Sequence, residues 1–358
     1  MRRVRLVSED LPQYSPGPKV KEFEEKFAKL HGAGHALFVN SGTDALRVAL
    51  LAMKEKFGWA DGDEVAVPTL TFPATINTVL QANLRPHLVD VSIHDYTINA
   101  WNLEHDYNCS VDKLAKLRCV VPVHLFGQEP SAKIYELCAE RGWRVLEDSC
   151  ETILNPLQGD VGCYSTYMAH HLTTGVGGVA VTQDEDLRYL MWSYANHGRR
   201  EAGKFEFDRI GYSARATEMQ AELGLAQLGV LAEDVRARQG VAEALRHGLR
   251  EFDDLVLPVA ERHHTWLMFP IVLRERSKVD RDGLCAALES VGIETRPMMP
   301  ITNQPCYAKM TEGRTFSVAE WANRKGFYIP CHAGVTKSDI SFIVDTFQSV
   351  LDKAVKSV

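Results

Sequence analysis

The chain has 358 residues, 45% of them hydrophobic and 24% charged, and a formal net charge of −7. That length permits two domains, and the acidic balance argues against general affinity for nucleic acid or anionic membranes, though not against one local basic pocket. No apolar run nears the roughly 20 residues that span a bilayer. The positively charged start MRRVR lacks the following apolar stretch of a signal peptide. The eight cysteines include no Cys-x-x-Cys pair and read as reduced thiols of a cytoplasmic protein.

In chain order, apolar residues at helical spacing over 19–30 (KVKEFEEKFAKL) predict an amphipathic helix. A strand at 35–39, a turn Asn40-Ser41-Gly42-Thr43 and a helix over 44–54 follow. Then come a strand at 64–68, a helix at 75–83, and strands at 86–91 and 119–123, with a helix over 132–141 and a strand at 144–147. This alternation predicts an α/β fold with a mostly parallel sheet covered on both faces. Ligands of such sheets sit at the carboxyl ends of the strands, where 41–43, 69–75 and 148–152 all fall. A long helical region over 214–250, strands at 266–273 and 293–297, and a closing helix at 337–355 complete the chain. A boundary near 240 divides it into a large domain, 1–240, and a smaller C-terminal α+β domain, 241–358.

Three segments could carry chemistry. In NSGTDAL (40–46), a tight turn opens a helix whose N–H groups, with the Ser41 and Thr43 hydroxyls, form an anion pocket; simple helix capping explains the same residues. In LEDSCE (146–151), Asp148 directly follows a buried strand. Such a carboxylate needs a cation or hydrogen bonds, and one use is to hold a protonated ring nitrogen; a cap or structural ion pair is the plainer reading. In GDVGCYSTYMAHHL (159–172), His170 and His171 invite a metal reading, but neighbours on a strand face opposite ways and no other His or Cys completes a zinc set. His263-His264 reads as a polar loop, and GVGG (175–178) as a turn into a strand rather than a dinucleotide fingerprint.

Taken in order, these segments resemble the DegT/DnrJ/EryC1/StrS family of nucleotide-sugar aminotransferases. The matching stretches are VNSGTDAL (39–46), DEVAVPTLTFPAT (63–75), VPVHLFGQ (121–128), LED (146–148), NHGR (196–199), GYSARATEMQAELGLAQL (211–228) and IETRPMMPITNQPCY (293–307). The resemblance implies the fold-type-I architecture of pyridoxal-phosphate (PLP)-dependent transferases. It also implies a homodimer with sites at the subunit interface, a nucleotide-diphosphate sugar as substrate, and an amino donor such as glutamate. By the same resemblance Gly42, Thr43 and Ser165 hold the cofactor phosphate, Phe72 stacks on the pyridine ring, Asp148 pairs with its nitrogen, and Glu151 and Ser213 also belong to the cofactor site.

One position departs from the pattern. Where the family has the lysine that anchors the cofactor, this chain has His170, within YSTYMAHHL (164–172). An imidazole cannot make a lysine's covalent link to an aldehyde, but it can move protons near neutral pH. The replacement resembles one branch of the family, the sugar 3-dehydratases, which use pyridoxamine 5′-phosphate with a histidine base. With no cysteine between Cys163 and Cys285, the resemblance is to the cluster-free type acting on a GDP-sugar. The expectation is therefore 3-dehydration of a nucleotide-linked 4-keto-6-deoxy sugar, with His170 and Asp148 catalytic and no metal. The alternatives are a conventional aminotransferase using another lysine, Lys204 being nearest downstream, and a non-catalytic homologue. Ser213 replaces the family's asparagine, and 151–159 is shorter than the family's loop. Segments 192–200 and 266–307 are expected to help hold substrate.

Overall fold

The computed structural model describes residues 17–109, 116–202, 204–259, 263–298 and 300–356; the MRRVR start lies outside them. Strands β1 (His35–Val39), β2 (Glu64–Pro68), β3 (Arg85–Val89), β4 (Leu117–Val120), β5 (Arg144–Asp148), β6 (Val161–Ser165) and β7 (Gly178–Thr182) form one sheet in the order β1-β7-β6-β5-β4-β2-β3. All neighbouring pairs are parallel except those of β7, which runs against both β1 and β6. The strands are runs of Val, Leu, Ala and Cys because both faces are covered. The carboxyl ends of β1, β2, β5 and β6, and the start of β7, therefore meet on one edge.

Helices α1 (Pro18–Leu30), α2 (Gly42–Lys56), α3 (Pro73–Gln81), α4 (Ala100–Cys109), α5 (Ala132–Arg141) and α6 (Glu185–Ala195) cover this sheet. α2 is the central one. Its Ala45, Leu46, Ala49 and Leu50 are sealed against Val65, Val67, Leu146 and Cys163, and its alanines let the axis lie close to the strands.

The expected helix over 214–250 is two helices, α7 (Glu218–Leu228) and α8 (Leu231–Leu249), separated at Gly229-Val230. Residues 214–217 are extended instead, since Arg215 bridges to Val39 and Thr217 caps α7 in a box with Gln220. Beyond α8 lies an antiparallel sheet, β8 (Leu255–Val256), β9 (Met268–Leu273), β10 (Arg296–Pro297) and β11 (Gly326–Pro330), in the order β10-β11-β9-β8. It packs with α9 (Arg281–Ser290), α11 (Ser317–Lys325) and α12 (Lys337–Lys356), whereas Met310 of α10 (Ala308–Thr311) packs against the core of the larger sheet. Strand β9 starts two residues later than expected, because Trp266 is in the left-handed region at φ 54°. β10 is shorter than 293–297 because the Ile293 N–H still closes the end of α9, donating to Leu288 O.

Helix α8 crosses residue 240 without a break. Its Leu231 and Val235 pack with Phe23 and Phe27 of α1, whereas Val241, Ala242, Leu245 and Leu249 pack with Phe269, Phe327 and Phe347. We propose 240 as the domain boundary on that change of partner. No helix among the described residues is long and apolar enough to cross a membrane.

Two consequences are measurable. A Cβ on Gly178 would lie 2.3 Å from the Ser41 carbonyl oxygen, so Gly178→Ala is expected to cost about 3 kcal/mol in urea denaturation; a loss below ~1 kcal/mol would contradict the close approach. The half-buried Glu24 accepts the Phe38 N–H at 2.7 Å through its carboxyl, and desolvation pushes its pKa up to about 7. The folded chain thus holds a proton that the unfolded chain releases from about pH 4.5 upward, and stability falls through that window. Glu24→Gln should gain on the parent between pH 5 and pH 8 by about 1 kcal/mol or more; a pH-independent difference would rule this out.

Candidate active site

The strand edge encloses a cavity of about 430 Å³ lined by residues from both sheets. At one end β1 turns at Ser41, whose hydroxyl accepts the Asp44 N–H at 3.1 Å and starts α2. The N–H groups of Gly42 and Thr43 find no acceptor among the described residues and are free for an anion. Gly42 cannot be larger without movement, because a Cβ there would sit 3.0 Å from both Cys150 Sγ and Ser165 Cβ.

Asp148 ends β5 and is buried in the cavity wall. Its Oδ2 accepts the Thr75 hydroxyl at 2.8 Å, Thr75 pairs with the Thr71 hydroxyl at 2.7 Å, and the Cys150 N–H reaches Oδ1 at 3.3 Å. No lysine or arginine lines the cavity among the described residues. On the opposite face of β5, Glu147 is fully buried. It meets His124 Nε2 at 3.0 Å and accepts the Tyr135 hydroxyl and the N–H groups of Gln158 and Gly159. Burial raises its pKa, but these hydrogen bonds and His124 together hold it below the ordinary glutamate value. The short segment 151–159 is thus pinned to Glu147, and to His31 through Leu154 and Leu157.

His170 and His171 lie in a turn after β6, not on a strand as the sequence reading had them. Their surroundings still differ. His170 lines the cavity, its Nδ1 is buried with no hydrogen-bond partner, and burial lowers its pKa below the usual histidine value. His171 is pushed down to about 3, by burial and then by Arg238, and does not line the cavity. His264 is not a solvated loop residue: it is buried, stacked on Trp266 at 3.7 Å, and its Nδ1 accepts the Trp266 N–H. No group of three or more His, Cys, Asp or Glu able to hold a metal occurs among the described residues.

Of the residues singled out from sequence, Gly42, Thr43, Phe72, Asp148, Glu151, Ser165 and His170 line this one cavity. Phe72, 64% exposed, stands at its mouth. Ser213 lies apart, exposed on this chain's surface with its hydroxyl accepting Arg215 Nη2 at 2.9 Å. Segment 192–200 does not reach the cavity; among the described residues of 266–307 only Leu267 and Met268 do. The sequence reading had Thr71 and Thr75 in the strand-end segment 69–75 and Tyr167 in 159–172 but gave them no role, and it missed Tyr328 in the lining. For the threonines the signal was available, two hydroxyls four residues apart at a helix start in TLTFPAT. Tyr328 comes from the distant strand β11 and left no local trace. An anion site, an unpaired buried carboxylate and an exposed aromatic ring, arranged around one slot, fit a flat phosphorylated pyridine.

A model of the DegT/DnrJ/EryC1/StrS aminotransferase family matches residues 3–348. The chain is 32% identical over 353 residues to a GDP-perosamine synthase of Caulobacter vibrioides, covering 94% of this chain and 91% of that protein. It is 27% identical to a GDP-4-keto-6-deoxy-D-mannose 3-dehydratase of Escherichia coli O55:H7, with 90% of each chain covered. Among solved structures, E. coli GDP-4-keto-6-deoxy-D-mannose-3-dehydratase with bound hydrated PLP superposes with a TM-score of 0.83 at 25% identity, covering 93% of this chain and 92% of that one. The fold is the α/β fold of the PLP-dependent aminotransferases, and the chain belongs to the DegT/DnrJ/EryC1/StrS aminotransferase family.

Proposed function

We propose that this protein is a pyridoxamine-phosphate-dependent dehydratase that removes the 3-hydroxyl of a nucleotide-diphosphate-linked 4-keto-6-deoxy sugar. The observation that carries the reading is a histidine, His170, with no lysine beside it among the described residues, in the cavity that also holds Asp148 and Phe72. An amino-transfer reading needs a lysine elsewhere, and Lys204, the nearest downstream, is exposed and paired with Glu201 at 2.6 Å. The dehydratase relative supports the substrate class. The 32% identity to a GDP-perosamine synthase favours a second reading, amino transfer to a similar sugar.

In this proposal Gly42, Thr43 and Ser165 hold the phosphate, Phe72 covers one ring face, and Asp148 keeps the ring nitrogen protonated. The cofactor, when bound, supplies an amine to join the sugar carbonyl and a ring that takes up electrons. His170, kept neutral by its burial, takes a proton from carbon as the base. With no lysine in the cavity among the described residues, the phosphate site and Phe72 retain the cofactor without a covalent bond. Ser213, exposed beside Arg215, is available to a second copy of the chain, and we place it at a homodimer interface facing the partner's site. Glutamate would restore the amine form. The free cysteines suit a cytoplasmic enzyme.

Purified protein incubated with pyridoxamine phosphate and GDP-4-keto-6-deoxymannose should release ammonia and a 3-deoxy sugar. A 4-amino sugar without 3-deoxy product would give the second reading precedence, and binding without turnover across several such sugars would mark a non-catalytic relative. In His170→Lys, dehydration should drop at least ~100-fold while the cofactor becomes attached in a borohydride-reducible form. An undiminished rate would remove His170 from the chemistry.

A further inference from the structure

The cavity holds a second carboxyl, and its surroundings differ from those of Asp148. Glu151 follows β5 by three residues and shares the cavity wall with His170. Its Oε2 accepts the Phe126 N–H at 2.6 Å. That N–H is aimed by an uncommon backbone: Phe126 has φ 59° and Gly127 has φ 91°. A Cβ on Gly127 would come 2.4 Å from Thr265 Oγ1, so the turn is locked against the smaller sheet's leading segment. Oε1 of Glu151 has no hydrogen-bond partner among the described residues.

Two carboxyls in one cavity, neither joined to a cation among the described residues, are costly to ionise together. Asp148 accepts bonds from Thr75 and Cys150, two donors against one for Glu151. The groups facing Glu151 add no positive charge: Asp148 on β5, the neighbouring Cys150, Tyr328 on β11, and His171, neutral above about pH 3. The proton rests on Glu151, whose pKa burial raises to about 7. His170 is moved the other way. A pair of groups displaced in opposite senses in one site is the arrangement that divides acid from base.

We infer that Glu151 is the proton donor to the departing 3-hydroxyl, leaving His170 to act as base alone. The inference rests on the dehydratase reading. His170 takes a proton from carbon, and the cofactor, when bound, would carry the electron pair of that C–H bond towards C3. The C3–O bond breaks with its pair going to oxygen, which takes the Glu151 proton and leaves as water. His170 then carries one proton more and Glu151 one fewer, and one transfer between them restores both. No oxidant or reductant is needed.

The test compares Glu151→Gln, which keeps an oxygen for the Phe126 N–H, with the parent. Parent kcat should rise with pH as His170 becomes neutral and fall again near pH 7 as Glu151 loses its proton. With pyridoxamine phosphate saturating, the variant should lose about 100-fold in kcat and keep the acid limb without the alkaline one. Independently of turnover, infrared spectroscopy of the parent should show a carboxylic-acid C=O band that titrates with a midpoint near pH 7 and is missing in the variant. A parent that dehydrates, with an unchanged kcat and pH profile in Glu151→Gln, overturns the inference and leaves the dehydratase reading intact. No such band in the parent at pH 5 overturns it even if the variant is inactive. A parent with the band but no dehydration defeats the dehydratase reading instead, and with it the step assigned here.

Discussion

A carboxylate at the end of a buried strand has to be satisfied, and much of this site is arranged around that requirement. Asp148 sits where β5 leaves the sheet, with only the Thr75 hydroxyl and the Cys150 N–H to hold it. Both donors depend on the fold. Thr75 is in the first turn of α3, fixed by Pro73 at the helix start, and Cys150 begins the turn out of the strand. Neither is a cation, and a buried carboxylate without one costs several kcal/mol. In the proposed function the missing charge is the protonated ring nitrogen of the cofactor, so binding and electron withdrawal draw on the same interaction.

The same constraint governs the neighbours. Burial, and after it the neighbouring Asp148, raises the Glu151 carboxyl to about 7. His170 has lost solvent without gaining a partner for Nδ1 and stays neutral. A lysine at 170 would have supplied both a cation and a covalent tether. In the proposed function its replacement leaves retention of the cofactor to the α2 terminus and the ring stack, and turns the reading from amino transfer towards proton transfer and loss of water.

The legible parts of the sequence are those with local causes. The αβ alternation through Arg144–Asp148 gave the sheet and the edge where ligands bind, since periodicity and turn residues are local signals. The joined signals at Ser41–Thr43, Asp148 and His170 each had a plainer explanation; their convergence became visible through the order of the resembling motifs. The break at Gly229-Val230 was hidden because both flanks favour helix and residues on either side of it, Ala221 and Leu231, share one core. The buried stack of His264 on Trp266, and the arrival of Tyr328 from β11, depend on tertiary contacts with no sequence period.

The central claim is that the cavity retains its cofactor without a lysine. Its most direct test is to load the wild-type chain with pyridoxal phosphate, reduce with borohydride, denature, and measure the intact mass. The account predicts the mass of the unmodified chain. A mass increased by one reduced cofactor, mapped to a lysine, would contradict it.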